Sequence, residues 1–141
     1  MSAAEQCCAS RGLRLTPVRR KVLEILLQEH VALGAYYILE HLRKEGFKSQ
    51  PPVAYRALDF LVSNGFAHKV ERLNAFIACS YPGESHSPAF MICRSCDVVA
   101  ETHSAPLKGT FATAARSAGF KVERTVVEAE GLCPECQEVA D

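Results

Sequence analysis

The chain has 141 residues, 48% hydrophobic and 23% charged, with 16 basic and 16 acidic side chains and no formal net charge. Such a composition describes an ordinary globular protein; no run approaches the ~18 apolar residues of a membrane span, and Met1 to Arg14 lacks the apolar core of a signal peptide, so the cytoplasm is the expected compartment. The neutral total conceals an asymmetry: through Arg72, 11 Lys+Arg stand against 7 Asp+Glu, and from Leu73 onward 5 stand against 9, which suits nucleic acid for the first half and a cation for the second, or else two solvated surfaces.

In chain order, Ala3 to Arg11 reads as a short helix stopped by Gly12. Its adjacent Cys7 and Cys8 point in different directions and make a poor chelate, so they read as reduced thiols, one of them buried. Thr16-Pro17 opens a second helix, an N-cap residue followed by proline at the first helical position. Val18, Val22, Ile25 and Leu26 then recur at i, i+4, i+7 and i+8 as one apolar stripe. Ala35, Ile38, Leu39 and Leu42 do the same in a third helix between Gly34 and Gly46.

A fourth helix follows Pro51-Pro52, with Ala54, Leu58, Leu61 and Val62 inward and Tyr55, Arg56 and Asp59 outward, and Asn64-Gly65 ends it. The runs 66–71 and 75–79 read as a β-hairpin joined by Arg72-Leu73-Asn74. Helices followed by a hairpin, with an aromatic and an arginine on the outer face of the last helix, describe a winged helix-turn-helix over residues 1–81. A plain helical domain whose Tyr55 and Arg56 are surface residues fits the same pattern.

Residues 82–87, which include Pro82-Gly83-Glu84-Ser85, form the expected hinge. In residues 88–141 a strand over Ala89–Ile92 runs into Cys93-Arg94-Ser95-Cys96, and one over Val98–Glu101 leaves it. Leu107, Phe111, Ala114 and Ala115 mark one stripe of a helix closed by Gly119, and a strand over 120–130 leads to Cys133-Pro134-Glu135-Cys136. A domain of roughly 55 residues usually requires a staple or a partner subunit, so a structural metal and a homodimer are both expected. The predicted fold class is α+β, a winged helix-turn-helix followed by a small α/β dimerisation domain.

Cys93, Cys96, Cys133 and Cys136 form two Cys-x-x-Cys knuckles 36 residues apart, the closed four-sulfur signature of structural zinc. A redox dithiol expects a single pair that follows a strand and opens a helix, and here each pair follows a β-rich run. Structural disulfides expect an oxidising compartment. The remaining candidate ligands are His68 and Cys79 in the hairpin, His86 past the linker and Glu101 beyond the first knuckle, all acceptable to zinc. Spacing alone equally allows a buried cysteine, exposed histidines and a surface carboxylate, with His103 a nearby competitor and His30 and His41 surface residues on helices.

With these residues the chain resembles the ferric-uptake-regulator family of metal-sensing transcription factors, most closely its zinc-uptake-regulator branch. The likeness is carried by Leu13-Arg14-Leu15-Thr16-Pro17-Val18-Arg19, by Pro51 to Leu61, by Gly65-Phe66-Ala67-His68-Lys69-Val70-Glu71 and by both knuckles. It implies a homodimer with an N-terminal DNA-binding domain and a C-terminal dimerisation domain. It also implies two zinc ions per chain, one structural on the four knuckle cysteines and one regulatory on His68, Cys79, His86 and Glu101. Tyr36, Tyr55 and Arg56 fall where the family contacts DNA. Val53 and Ala54 stand where the family usually has threonine and valine, removing a hydroxyl that could cap the helix or touch a phosphate. Ser85-His86-Ser87 replaces the histidine-rich cluster of the iron-sensing branch, which argues against iron.

The implied function is a zinc-responsive transcriptional regulator, a repressor of zinc-uptake genes when zinc-loaded, acting on a double-stranded DNA operator with no membrane and no small organic substrate. The alternatives are a relative sensing another metal or peroxide, and a zinc-stapled interaction module that binds no DNA. An enzyme is not expected: a zinc deaminase wants His-x-Glu near Pro-Cys-x-x-Cys and an open metal position, and the chain offers His86-Ser87-Pro88 with two closed pairs.

Overall fold

The computed structural model describes residues 1–29, 31–48, 50–80, 88–103, 105–122 and 127–139. Contacts divide the chain into two units, Met1–Glu84 and Ser85–Asp141; the hinge expected over 82–87 lies outside the described residues.

The first unit runs α1 (Ser2–Arg11), α2 (Pro17–Gln28), α3 (Ala35–Lys44), α4 (Pro51–Ser63), β1 (Ala67–Val70) and β2 (Ala75–Ala78), with a single 3-10 turn between the strands. Thr16 starts α2 as expected, its hydroxyl oxygen accepting the Arg19 N–H at 3.3 Å ahead of Pro17. Helices α2, α3 and α4 pack on one another, and α2 and α4 also on the hairpin. Their shared core is Val22, Ile25, Leu26, Ile38, Leu42, Leu58 and Leu61 with Phe66 from the hairpin's start, all at most 2% exposed. Each such side chain stabilises the fold by about 1.5–3 kcal/mol relative to exposure. Helix α1 docks through Ala4 and Cys8, aided by an Arg20–Glu5 ion pair and by Arg11 Nη1 donating to the Asn64 carbonyl at 3.2 Å. Cys8 is the buried thiol, and burial pushes its pKa up.

Two local expectations change. On α4 the buried set is Ala54, Ala57, Leu58 and Leu61, while Val62 is 37% exposed. At 3.6 residues per turn Val62 lies about 90° from the centre of that stripe. Leu33 and Phe76 exchange both backbone hydrogen bonds, at 2.8 and 2.7 Å, adding a one-residue bridge to the hairpin that periodicity could not signal.

The junction of α4 with β1 is tightly made. Gly65 takes φ +79°, its N–H donates to the Val62 carbonyl at 3.2 Å, and the Phe66 N–H donates to the Leu61 carbonyl at 2.8 Å. This pair of bonds is a Schellman cap, accompanied by burial of Leu61 and Phe66. Strand β1 therefore leaves the helix in one fixed direction.

The second unit is a three-stranded sheet in the order β4-β3-β5, with β3 (Pro88–Cys93) central, β4 (Val99–His103) antiparallel to it and β5 (Val127–Gly131) parallel. Helix α5 (Ala105–Ala118) lies between β4 and β5 in sequence, as a parallel pairing requires of its crossover, and Gly119 closes it at φ +77°. Phe90, Ile92 and Val99 are buried on one face, and on the other Met91 is 53% exposed between buried Ala89 and Cys93. The side chains of Leu107 and Phe111 lie outside the described set, and Ala114 is exposed.

The strand expected over 120–130 begins only at Val127; Phe120–Val122 is not strand, and 123–126 lies outside the described residues. A helix not expected from the sequence, α6 (Pro134–Val139), carries the second knuckle. Proline directly after Cys133 was its available signal.

Candidate metal centre and nucleic-acid interface

Strand β3 delivers Cys93, and a tight turn brings Cys96 back over it. The turn is held by the Asp97 N–H to the Cys93 carbonyl at 3.0 Å and by the Cys93 N–H to the Val98 carbonyl at 2.9 Å, with Asp97 at φ +65°. The Arg94 N–H donates to the Gly131 carbonyl at 2.9 Å, which ties this knuckle to the end of β5 two residues before Cys133. Cys133 then precedes α6 and Cys136 lies on its first turn, with the Gln137 N–H donating to the Cys133 carbonyl at 3.1 Å.

The four sulfurs lie within 4.8 Å of one another, and Cys96 Sγ stands 3.8 Å from Cys133 Sγ. A disulfide would bring two sulfurs to about 2.05 Å. A tetrahedron with metal–sulfur bonds of about 2.3 Å has sulfur–sulfur edges of about 3.8 Å, so these residues fit zinc and not a disulfide between the knuckles. Backbone N–H groups of Cys133 and Cys96 lower the Cys93 thiol to about 6, while hydrogen bonding with the Cys133 sulfur pushes Cys136 up to about 12. Sulfurs so close must share protons, and a dication in their midst would replace those protons.

The hairpin carries a second pair of candidate ligands. Ala67 pairs with Ala78, which sets Cys79 opposite Phe66, and the Cys79 N–H donates to the Phe66 carbonyl at 2.9 Å. His68 is therefore diagonal to Cys79 on one face of the ribbon, and their ligand atoms lie within 4.8 Å. Cys79 is buried and the His68 Nε2 atom is buried with it. Glu101 stands on β4 opposite Phe90, and His86 lies outside the described residues.

Three side chains expected at DNA are on the surface of the first unit. Tyr36 is 74% exposed, Tyr55 is 53% exposed and Arg56 is exposed. The two tyrosines, with Ala35, Leu39, Pro51 and Ala54, line a cleft of about 100 Å³ between the starts of α3 and α4. A larger cleft, about 200 Å³, is lined by Thr16, Val18, Arg19, Val53, Arg56 and Ala57. Sequence reasoning passed over Arg19, although it lies off the inward stripe of α2 and belongs to the stretch that carries the family likeness.

Residues 10–130 match the Ferric uptake regulator family. The chain belongs to this family. Ferric uptake regulators are transcription regulators rather than enzymes. Among relatives in the family, the Zinc uptake regulation protein of Escherichia coli (strain K12) is 39% identical over 140 residues, covering 99% of this chain and 82% of that one. The solved structure of a zinc uptake regulator complexed with zinc and DNA is 39% identical, with a TM-score of 0.94 over 99% of this chain and 93% of the other. The crystal structure of holo XcZur is 38% identical, with a TM-score of 0.90 over 97% and 96%. No described helix is long and apolar enough to cross a membrane.

Proposed function

We propose that this ferric uptake regulator is a zinc-responsive, DNA-binding transcriptional regulator that represses zinc-uptake genes when zinc-loaded, working in the cytoplasm as a homodimer. Cys93, Cys96, Cys133 and Cys136 hold a structural zinc that staples the second unit. His68, Cys79, His86 and Glu101 hold a second, exchangeable zinc, and Tyr36, Tyr55 and Arg56 meet the operator.

The observation that carries this reading is the placement of His68 and Cys79 on one face of a hairpin that leaves α4 through a fixed cap, with Tyr55 and Arg56 on that same helix. The likeness to a zinc uptake regulator over nearly the whole chain supports it. A thiolate beside an imidazole favours zinc over iron(II) or manganese(II), which prefer more oxygen and higher coordination.

A ligand shifts a conformational equilibrium only by its differential affinity for the two states. Moving the chain from about 1:99 to 99:1 in favour of the DNA-competent state requires about 5.5 kcal/mol of preference. Zinc held by a protein set of this kind supplies about 10–16 kcal/mol in structural sites, so a fraction of that suffices.

The test combines metal analysis with fluorescence anisotropy on a duplex selected from a random pool by the zinc-loaded chain. Two zinc ions per chain are expected, one of them removable by mild chelation with a loss of DNA binding that added zinc restores. Cys79→Ser should keep one zinc and bind DNA weakly whatever the zinc level. Binding indifferent to both chelation and Cys79→Ser would sink the sensor reading.

A further inference from the structure

Several basic side chains of the first unit are taken up by ion pairs, and others, Arg11 and Arg14 among them, are not. Arg20, Lys21, Arg43 and Lys69 each lie against a carboxylate, of Glu5, of Glu24 and Glu45, of Glu40 and of Glu71 respectively. Arg19 and Arg56 do not: among the described residues neither has a carboxylate within 4.0 Å. These two line one cleft, at the meeting of α2 with α4.

Arg19 is also held in place. Its guanidinium lies over the Phe60 ring at 3.8 Å from the centroid, and Nη1 donates to the Arg14 carbonyl at 2.8 Å. A guanidinium carries five N–H donors in a rigid fork, so four remain after the Arg14 bond. Stacking and one backbone bond fix its orientation in advance, which reduces the rotamer entropy that a partner would otherwise have to cover.

The third polar group in the cleft is the Thr16 hydroxyl. Its oxygen accepts the Arg19 N–H at 3.3 Å, and its own O–H remains to donate. Val18, Val53 and Ala57 complete the walls with apolar surface. The cleft therefore offers donors and positive charge, with no carboxylate side chain among its lining residues.

We infer that this cleft is a clamp for a backbone phosphate of duplex DNA, with Arg19 and Thr16 as positioning residues beside Arg56. Arg19 holds the phosphodiester by charge-assisted hydrogen bonds and so fixes the register in which α4 presents Arg56 to the bases. Arg19 itself reads no sequence. The inference rests on the DNA-binding reading above and assigns Arg19 a part in it.

The test uses the full, zinc-loaded chain and follows duplex affinity against salt concentration. Arg19→Gln keeps two methylenes and an N–H donor but gives up the guanidinium stacked on Phe60; the position lies outside the buried core, so the fold should survive, which a thermal melt checks. It should weaken binding to a selected and to a random duplex by the same factor. It should also flatten the plot of log affinity against log salt by about 0.9 for each chain bound. Arg19→Lys, which keeps the charge, should retain the slope.

A second measurement leaves the wild-type protein untouched. Replacing single phosphates of the selected duplex by neutral methylphosphonates should reveal a position whose loss costs wild type affinity but costs Arg19→Gln nothing further. Inorganic phosphate at the same ionic strength should compete only weakly, since an isolated anion lacks the duplex's other contacts. An unchanged salt slope in a folded Arg19→Gln chain, or additive effects at every methylphosphonate, overturns the clamp and leaves the regulator reading standing. Absence of salt-dependent binding by wild type to any duplex overturns both.

Discussion

Cys96→Ser is the sharpest probe of the four-sulfur centre, because Cys96 is exposed and serine is nearly its shape. The change removes one sulfur without opening a cavity in the core, so a large effect can come only from lost ligation. Structural zinc contributes about 10–16 kcal/mol of binding free energy, or about 2.5–4 kcal/mol for each of four thiolates. Against this stands the stability of the second unit, the 57 residues Ser85–Asp141. At about 0.05–0.15 kcal/mol per residue that amounts to about 3–9 kcal/mol in total. Loss of one sulfur is thus comparable with everything that keeps the unit folded, whereas Cys7→Ser, outside any cluster, should cost about 1 kcal/mol or less.

Amide hydrogen exchange separates the two units. In Cys96→Ser the amides of Phe90 and Ile92 in central strand β3 should lose protection by two to three powers of ten, on the conversion of about 1.4 kcal/mol per tenfold. Those of Ile38 and Leu58 should be unchanged, because their core in α3 and α4 is built from the first unit alone. Zinc should be held more weakly, so that a chelator concentration that leaves wild type its four-sulfur zinc strips it from Cys96→Ser, read by metal analysis. Full zinc occupancy with wild-type protection at Phe90 would refute the ligand assignment and the argument from the sulfur spacing with it.

Two other substitutions test the DNA-facing unit. Arg56→Ala should cost about 1–3 kcal/mol on a selected duplex and less on random sequence, read by anisotropy at fixed salt; equal losses on both would make Arg56 a second phosphate contact. Gly65→Ala meets no atom within 4 Å but must hold φ +79°, so it should destabilise by about 1–2 kcal/mol in a denaturant melt through backbone conformation alone. Zinc stoichiometry should be unchanged.

The first unit was legible in the sequence because its signals are local and redundant. The Thr16-Pro17 start, the stripes on three helices and Asn64-Gly65 each name a boundary that the structure places within a residue or two. Legibility failed where one residue acts without a pattern. The Leu33–Phe76 bridge has no period, and Val62 sits at the edge of a stripe where a hydrophobic letter says nothing about depth. In the second unit the four cysteines were plain from spacing, yet the helix that carries Cys136 was read as a bare knuckle. The sulfurs announce their chemistry independently of the backbone that delivers them. Arg19 was missed for the opposite reason: a lone arginine is an ordinary surface residue until the fold sets a second one beside the same cleft.

The Schellman cap at Gly65 makes α4 and β1 behave as a single crank. Only Asn64 to Ala67 separate the last residue of the helix, Ser63, from His68 on the strand, and the cap's two hydrogen bonds leave that stretch no slack. Arg56 lies seven residues before the end of α4, about 10 Å up the helix axis at 1.5 Å per residue. Turning the crank by about 10° at the hairpin would sweep that arginine through about 2 Å, enough to carry a hydrogen bond of about 2.9 Å out of range. A small angular constraint on one histidine would thereby be geared up into the making or breaking of a contact at the far end of the arm.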